Sequence, residues 1–236
     1  NAASKVRKGN YFFTVIIGLV TLIIVTGFAP TFYLGRLFQA DSLSPLLITH
    51  GIVFTTWLGL AIVQSLLIQA HRKELHRQLG VLGALLAAAM VILGFNVAIE
   101  AVHSSPWPAR FKVDPHVFLI IPLTQITIFA ALVTAAIAMR RNGAVHKRLM
   151  LLAIINLAPP AISRIGYSIF HVESPLLIVG TLTVLVLACI VHDKKRYGKV
   201  HPVFSIVGPI TVLTFPLRMA IAGTNAWMRF AMWLTN

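Results

Sequence analysis

The chain has 236 residues, of which 58% are hydrophobic and 11% charged, with a mean hydropathy of +0.86 and a net charge of +14. That hydropathy excludes a water-soluble domain of any size. The positive charge would point to nucleic acid in a soluble protein, but its distribution along the chain excludes that partner.

Seven apolar stretches follow one another at about 12–34, 45–70, 78–101, 116–139, 149–170, 175–191 and 202–222. Each is close to the ~20 residues that cross ~30 Å of hydrocarbon as a helix. They are apolar throughout rather than alternating, which excludes barrel strands. Backbone groups in lipid must be satisfied within their own segment, so helices follow. The first stretch is too long for a signal-peptide core and no A-x-A pattern follows it, so it is expected to remain as a helix.

The basic residues sort by gap. Lys5, Arg7 and Lys8 precede the first stretch; Arg72, Lys73 and Arg77 follow the second. Arg140, Arg141, Lys147 and Arg148 follow the fourth, and Lys194, Lys195, Arg196 and Lys199 follow the sixth. These are 14 of the 20 lysines and arginines. Because basic loops are retained in the cytoplasm, the alternation predicts an all-α integral membrane protein of seven transmembrane helices, with the N-terminus cytoplasmic and the C-terminus periplasmic. A cationic inner face also attracts anionic membrane lipids.

One domain spans 1–236, and it contains a repeat. The third stretch opens on His76-Arg77-Gln78-Leu79-Gly80 and the fifth on His146-Lys147-Arg148-Leu149-Met150. Each preceding stretch carries a histidine near its outer end, His50 and His116 respectively. Residues 45–101 and 116–170 therefore read as two copies of one hairpin. Gly80, Ala84 and Ala88, with Gly83 and Ala87 beside them, form a stripe of small residues expected to make the tightest helix contact. In the outer loop, Ser104-Ser105-Pro106-Trp107-Pro108 reads as a turn at the interface, and Asp114-Pro115 as a helix start. The lone Cys189 lies in the sixth stretch and permits neither an internal disulfide nor a CxxC motif. Residues 225–236, with Trp227, Phe230 and Trp233 around Arg229, are too few to span and read as a short interfacial helix.

Polar residues inside spans are costly and mark candidate sites. Asn96, Glu100 and His103 share a face of the third helix; Arg164, Tyr167 and His171 share one on the fifth; Thr211, Thr214 and Arg218 share one on the seventh. Together with His50 and His116 they are expected to converge near the outer surface, with Glu100 pairing to Arg164 or Arg218. The set Asn96, Glu100, Arg164, Tyr167 and Arg218 is thus a candidate ion-pair or anion site. On the inner side His76, His146 and His201 open three helices at matching depth. Neutral imidazole ligates haem iron and divalent metals. His50 with His116 outside, or a pair among His76, His146 and His201 inside, is a candidate cofactor site. Pro122, Pro159-Pro160, Pro209 and Pro216 read as kinks or as breaks whose freed carbonyls line a transport site. No Walker loop, GxSxG or HExxH motif is present, and whether the chain is an enzyme stays open.

The helix openings at His76 and His146, with His50-Gly51 and His201-Pro202, resemble a bacterial polytopic inner-membrane family with histidine-headed helices and no assigned activity. They are similar in style to b-type cytochromes and oxidase assembly factors. The resemblance implies a multi-pass protein of the bacterial inner membrane. The expected function is binding of haem b or a metal ion through histidines, in membrane electron transfer or cofactor handling. Two alternatives stand beside it: a non-catalytic accessory or assembly subunit of a larger respiratory or photosynthetic membrane complex, and a small-anion transporter.

Overall fold

The computed structural model describes residues 11–105, 107–110, 112–172 and 174–236. Lys5, Arg7, Lys8, Pro106 and Glu173 lie outside them, as do the side chains of Trp107 and Arg110. The described residues are helical, without strands. The helices are α1 (Phe12–Phe28), α2 (Pro45–Gln69), α3 (Lys73–Ser104), α4 (Trp107–Arg110), α5 (Pro115–Ala138), α6 (Gly143–Asn156), α7 (Pro159–Ile165), α8 (Pro175–Tyr197), α9 (Gly208–Ala222) and α10 (Asn225–Thr235). Wider π-helical turns extend three of them, at Ala29–Tyr33 after α1, Gly166–Phe170 after α7 and Val203–Val207 before α9. Counting these extensions, and α6 with α7 as one unit, seven helical segments are long and apolar enough to cross a membrane, as in a multi-pass membrane protein.

Local chemistry sets the helix starts. Ser44-Pro45, Asp114-Pro115 and Ser174-Pro175 open α2, α5 and α8 alike. In each the side-chain oxygen accepts a backbone N–H of the first turn, and the proline occupies the position whose N–H would be orphaned. Asn142 caps α6 by accepting from the N–H groups of Ala144 and Val145. Gly198, in the left-handed conformation at φ 74°, ends α8. α3 starts at Lys73, five residues before its apolar stretch, because Lys73–Arg77 are good helix formers that continue the helix beyond the hydrocarbon-length segment.

α2, α3, α5 and α6 pack side by side in sequence, α1 lies against α2, α6 and α7, and α8 and α9 close the other flank. The fifth span, Gly143–Phe170, is the hub: 72% of its most apolar window is buried, against 11–39% for the other six. It is also broken. α6 ends at Asn156, and Pro159 begins α7 as its first residue. Its counterpart in the other candidate hairpin, α3, runs unbroken for 32 residues. Surfaces away from the hub remain apolar: Val81, Leu85, Ile92, Val184 and Leu213 are all exposed, as lipid-facing side chains are.

The glycines in the small-residue stripe of α3 do not bring a neighbouring backbone close. Gly80 has open space beside it and Ala88 is exposed, while Gly83 sits at ordinary distance from Leu60. A close backbone approach is that of α1 to α7 at Gly27, where an added Cβ would lie 2.5 Å from the Ala161 carbonyl oxygen and 2.7 Å from its Cα. Backbone cannot yield as a side chain can, so Gly27→Ala is expected to push α1 off the hub and to cost about 1–3 kcal/mol. A lowered thermal midpoint of the detergent-solubilised variant checks this; an unchanged midpoint contradicts it.

Candidate functional site

The polar residues expected to converge on the outer side separate into distinct groups. Asn96 is exposed and donates to the Ile92 carbonyl one turn back on its own helix, which satisfies it without a neighbour. His103 is exposed as well. Glu100 accepts from the Ser44 hydroxyl at 3.0 Å, the residue that also caps α2. Among the described residues Glu100 has no ion pair with Arg164 or Arg218. The expected pairing is corrected by reach: Glu100 stands at the α2–α3 edge, whereas Arg218 is turned toward α5.

Arg164 lies with its guanidinium carbon 4.3 Å from the Phe28 ring centroid and donates to the Pro160 carbonyl. His50 stacks on Phe54 at 4.0 Å. Tyr167 is half-buried in the π-helical turn that follows α7. His116 turns to Asp114, Nδ1 to Oδ1 at 3.1 Å, and its carbonyl accepts from Trp227 Nε1 of α10 at 2.8 Å. His50 and His116 thus hold different neighbours, Phe54 for the one and Asp114 for the other. Burying a guanidinium in hydrocarbon costs about 2.5–3.5 kcal/mol on insertion scales, so the placement of Arg218 is notable. It is 4% exposed and donates to Gln125 Oε1, the Ile121 carbonyl and both oxygens of Thr214.

The inner end is more tightly built. Arg148 and Asp193, which read in the sequence as loop charges, are 4% and 0% exposed. Arg148 Nε donates to Asp193 Oδ2 at 2.8 Å and Nη2 to Oδ1 at 2.7 Å, a two-pronged contact. Nη1 donates to the Ala144 carbonyl at 2.7 Å, and Asp193 Oδ2 also accepts from the His201 backbone N–H at 3.2 Å. The rings of Tyr197 and Phe204 stand 5.3 and 5.5 Å from the guanidinium carbon. Beside this pair His192 stacks on Phe12 at 3.8 Å, tying α1 to α8. The sequence carried one overlooked signal: Asp193 is a lone acid within His192–Arg196, where a solvated acid would be neutralised to no purpose.

The inner histidines divide accordingly. His201 is held at the pair, its Nδ1 accepting from the Val203 N–H at 3.2 Å. His76 and His146 meet each other: their rings lie 6.3 Å apart, centroid to centroid, at 87°. His146 Nδ1 donates to the Ala136 carbonyl of α5 at 2.8 Å, which fixes the tautomer and leaves Nε2 with a lone pair. His76 Nδ1 is buried without a hydrogen-bond partner, and so are both amide atoms of Gln64 on the adjoining α2. Among the described residues no three His, Cys, Asp or Glu side chains gather as a metal-ligand cluster.

No protein-family model, curated protein or solved structure matches the chain.

Two outcomes follow from the inner cluster. Arg148→Ala strands the Asp193 carboxylate in a dry site and is expected to cost about 3–5 kcal/mol, whereas Arg148→Leu with Asp193→Leu costs much less. Chemical denaturation of the single and double variants in detergent distinguishes this from a pair of solvated charges, for which both would be near neutral. Burial, and next the Arg148 charge, hold the His201 imidazole below its ordinary range against the opposing pull of Asp193. The unfolded chain therefore takes up this proton at higher pH than the folded one. Stability is intact above the ordinary imidazole range of about 6.5 and falls as pH drops through it. Melting points from about pH 7.5 to 5 are expected to decline in the wild type and to decline less steeply in His201→Asn; equal slopes contradict the assignment.

Proposed function

We propose that this chain is a multi-pass protein of a bacterial inner membrane, N-terminus in the cytoplasm and C-terminus in the periplasm. In this reading it holds haem b or a metal ion through His76 and His146, for membrane electron transfer or cofactor handling. The orientation rests on the basic residues gathered at the α2–α3, α5–α6 and α8–α9 connections. The binding reading rests on one observation, the two imidazoles presented to each other from different helices 6.3 Å apart. Two imidazole nitrogens on opposite sides of one ion, at roughly 2.0 Å each, hold their ring centroids about 6 Å apart. The Ala136 carbonyl behind His146 is the kind of partner that metal-bound imidazoles use to raise their basicity.

The donor set narrows the group. With two imidazoles and no third strong ligand among the described residues, the chemistry suits an ion that asks the protein for two donors. Haem iron does so, because the macrocycle supplies the rest; low-coordinate copper(I) is the other such ion. When bound, either group would supply one-electron chemistry. His146 would provide an oriented lone pair and His76 the facing ring, and the basic residues at these helix starts would tune the potential of the bound group.

Protein purified from membranes is expected to carry iron with a Soret absorbance band, or copper, in a stoichiometric amount. His76→Ala and His146→Ala should each lose it while eluting as the wild type does. Full metal content in the double variant, or a wild type with neither metal, overturns the proposal.

A further inference from the structure

We propose that Arg218 and Gln125 form a binding site for a small monovalent anion in the outer half of the bundle, separate from the histidine pair. Both side chains are more than nine-tenths buried, Arg218 at 4% and Gln125 at 7% exposure. Arg218 Nη1 donates to Gln125 Oε1 at 3.0 Å and to the Ile121 carbonyl at 3.4 Å. Nη2 donates to Thr214 Oγ1 and Nε to the Thr214 carbonyl, both at 3.3 Å. All four acceptors are neutral and three of the four contacts are long. The guanidinium is held by dipoles, with no carboxylate beside it among the described residues.

Gln125 shows what is missing. Its oxygen is committed to Arg218, so its Nε2 faces the other way as a two-proton donor, and that nitrogen is buried without any partner. Thr214 is no source of relief, because its hydroxyl donates to the Thr211 carbonyl. Asn156, at the break between α6 and α7, donates to the Gln125 backbone carbonyl at 3.0 Å and pins this part of α5 to the hub. Every unpartnered polar atom in the cluster is therefore a donor, and its one charge is positive. A buried donor left unmade is costly, and a buried cation more so. An anion accepting from Gln125 Nε2 beside Arg218 satisfies both.

The chemistry limits the ligand to one negative charge and one or two acceptor atoms, such as a halide or a small carboxylate. α10 lies over the outer approach. Its Ala231 packs on Ala98 and on Leu119, two residues before the Ile121 carbonyl, and Trp227 ties it to His116.

Thermal melts of the purified full chain in chloride, bromide, nitrate and acetate, against gluconate and sulfate at matched ionic strength, test the site. The midpoint is expected to rise saturably with the small monoanions and to ignore the other two. Gln125→Glu puts a carboxylate where the unpartnered amide stands, and its apparent chloride affinity is expected to fall more than about tenfold; metal content should not change. Gln125→Leu, which removes the donors without adding charge, gives the same reading if the first variant does not purify. A wild-type midpoint indifferent to anion identity, a variant with the full chloride response, or a response to added anionic phospholipid alone overturns the proposal.

Discussion

The rest of this structure depends on one constraint: the fifth span is the most buried of the seven, and it carries two polar side chains, Arg148 and Asn156, into that interior. In lipid, apolar surface gains nothing by facing another helix rather than an acyl chain, so packing and hydrogen bonds decide which helix sits centrally. Gly143–Phe170 takes that place through contacts only an interior helix can make. Gly27 lets the α1 backbone lie against Ala161, Asn156 reaches α5, and Arg148 reaches α8. Each polar group it carries must be met by a neighbour in a dry environment, and the other helices are positioned by meeting them.

The two ends of the bundle meet that demand differently. At the inner end the buried charge is paired. Asp193 faces Arg148, the His201 N–H completes the carboxylate, and aromatic rings close over the guanidinium. This fixes the rotation of α6 at its first turn. His146 stands two residues before Arg148 and inherits that rotation, which carries its ring toward α5 and His76. The salt bridge is thus a positioning device for the histidine pair as well as a brace between spans. At the outer end Arg218 is met only by neutral oxygens. A buried charge paired at the inner end and a buried charge left to dipoles at the outer end divide the interior between a fixed ligand pair and an open electrostatic demand.

The seven spans were legible because their signal is local: continuous apolarity of membrane length, bounded by capping residues and basic clusters. The side-chain partnerships were not. Asn96 reads as an inward polar residue by helical spacing, yet it satisfies itself on Ile92 and faces outward. Arg148 and Lys147 are neighbours of the same charge at a helix start. Only Arg148 is buried with the acid, while Lys147 reaches the Tyr197 hydroxyl. Nothing in the sequence ranks the seven stretches by burial, because all are apolar on every side and centrality is set by which neighbours come close. Histidine depth was readable and gave the inner set. The choice of His76 with His146, rather than either with His201, came from the Asp193 network that claims His201.

The claim with most depending on it is that His76 and His146 act as two ligands of one ion. X-ray absorption at the iron or copper edge of the protein as purified tests this most directly. The account predicts a shell of two imidazole nitrogens at about 2.0 Å, with four further nitrogens if the group is haem, and loss of the metal edge itself in His146→Ala. A metal shell without imidazole scattering in the wild type, or a full metal edge in that variant, would contradict it.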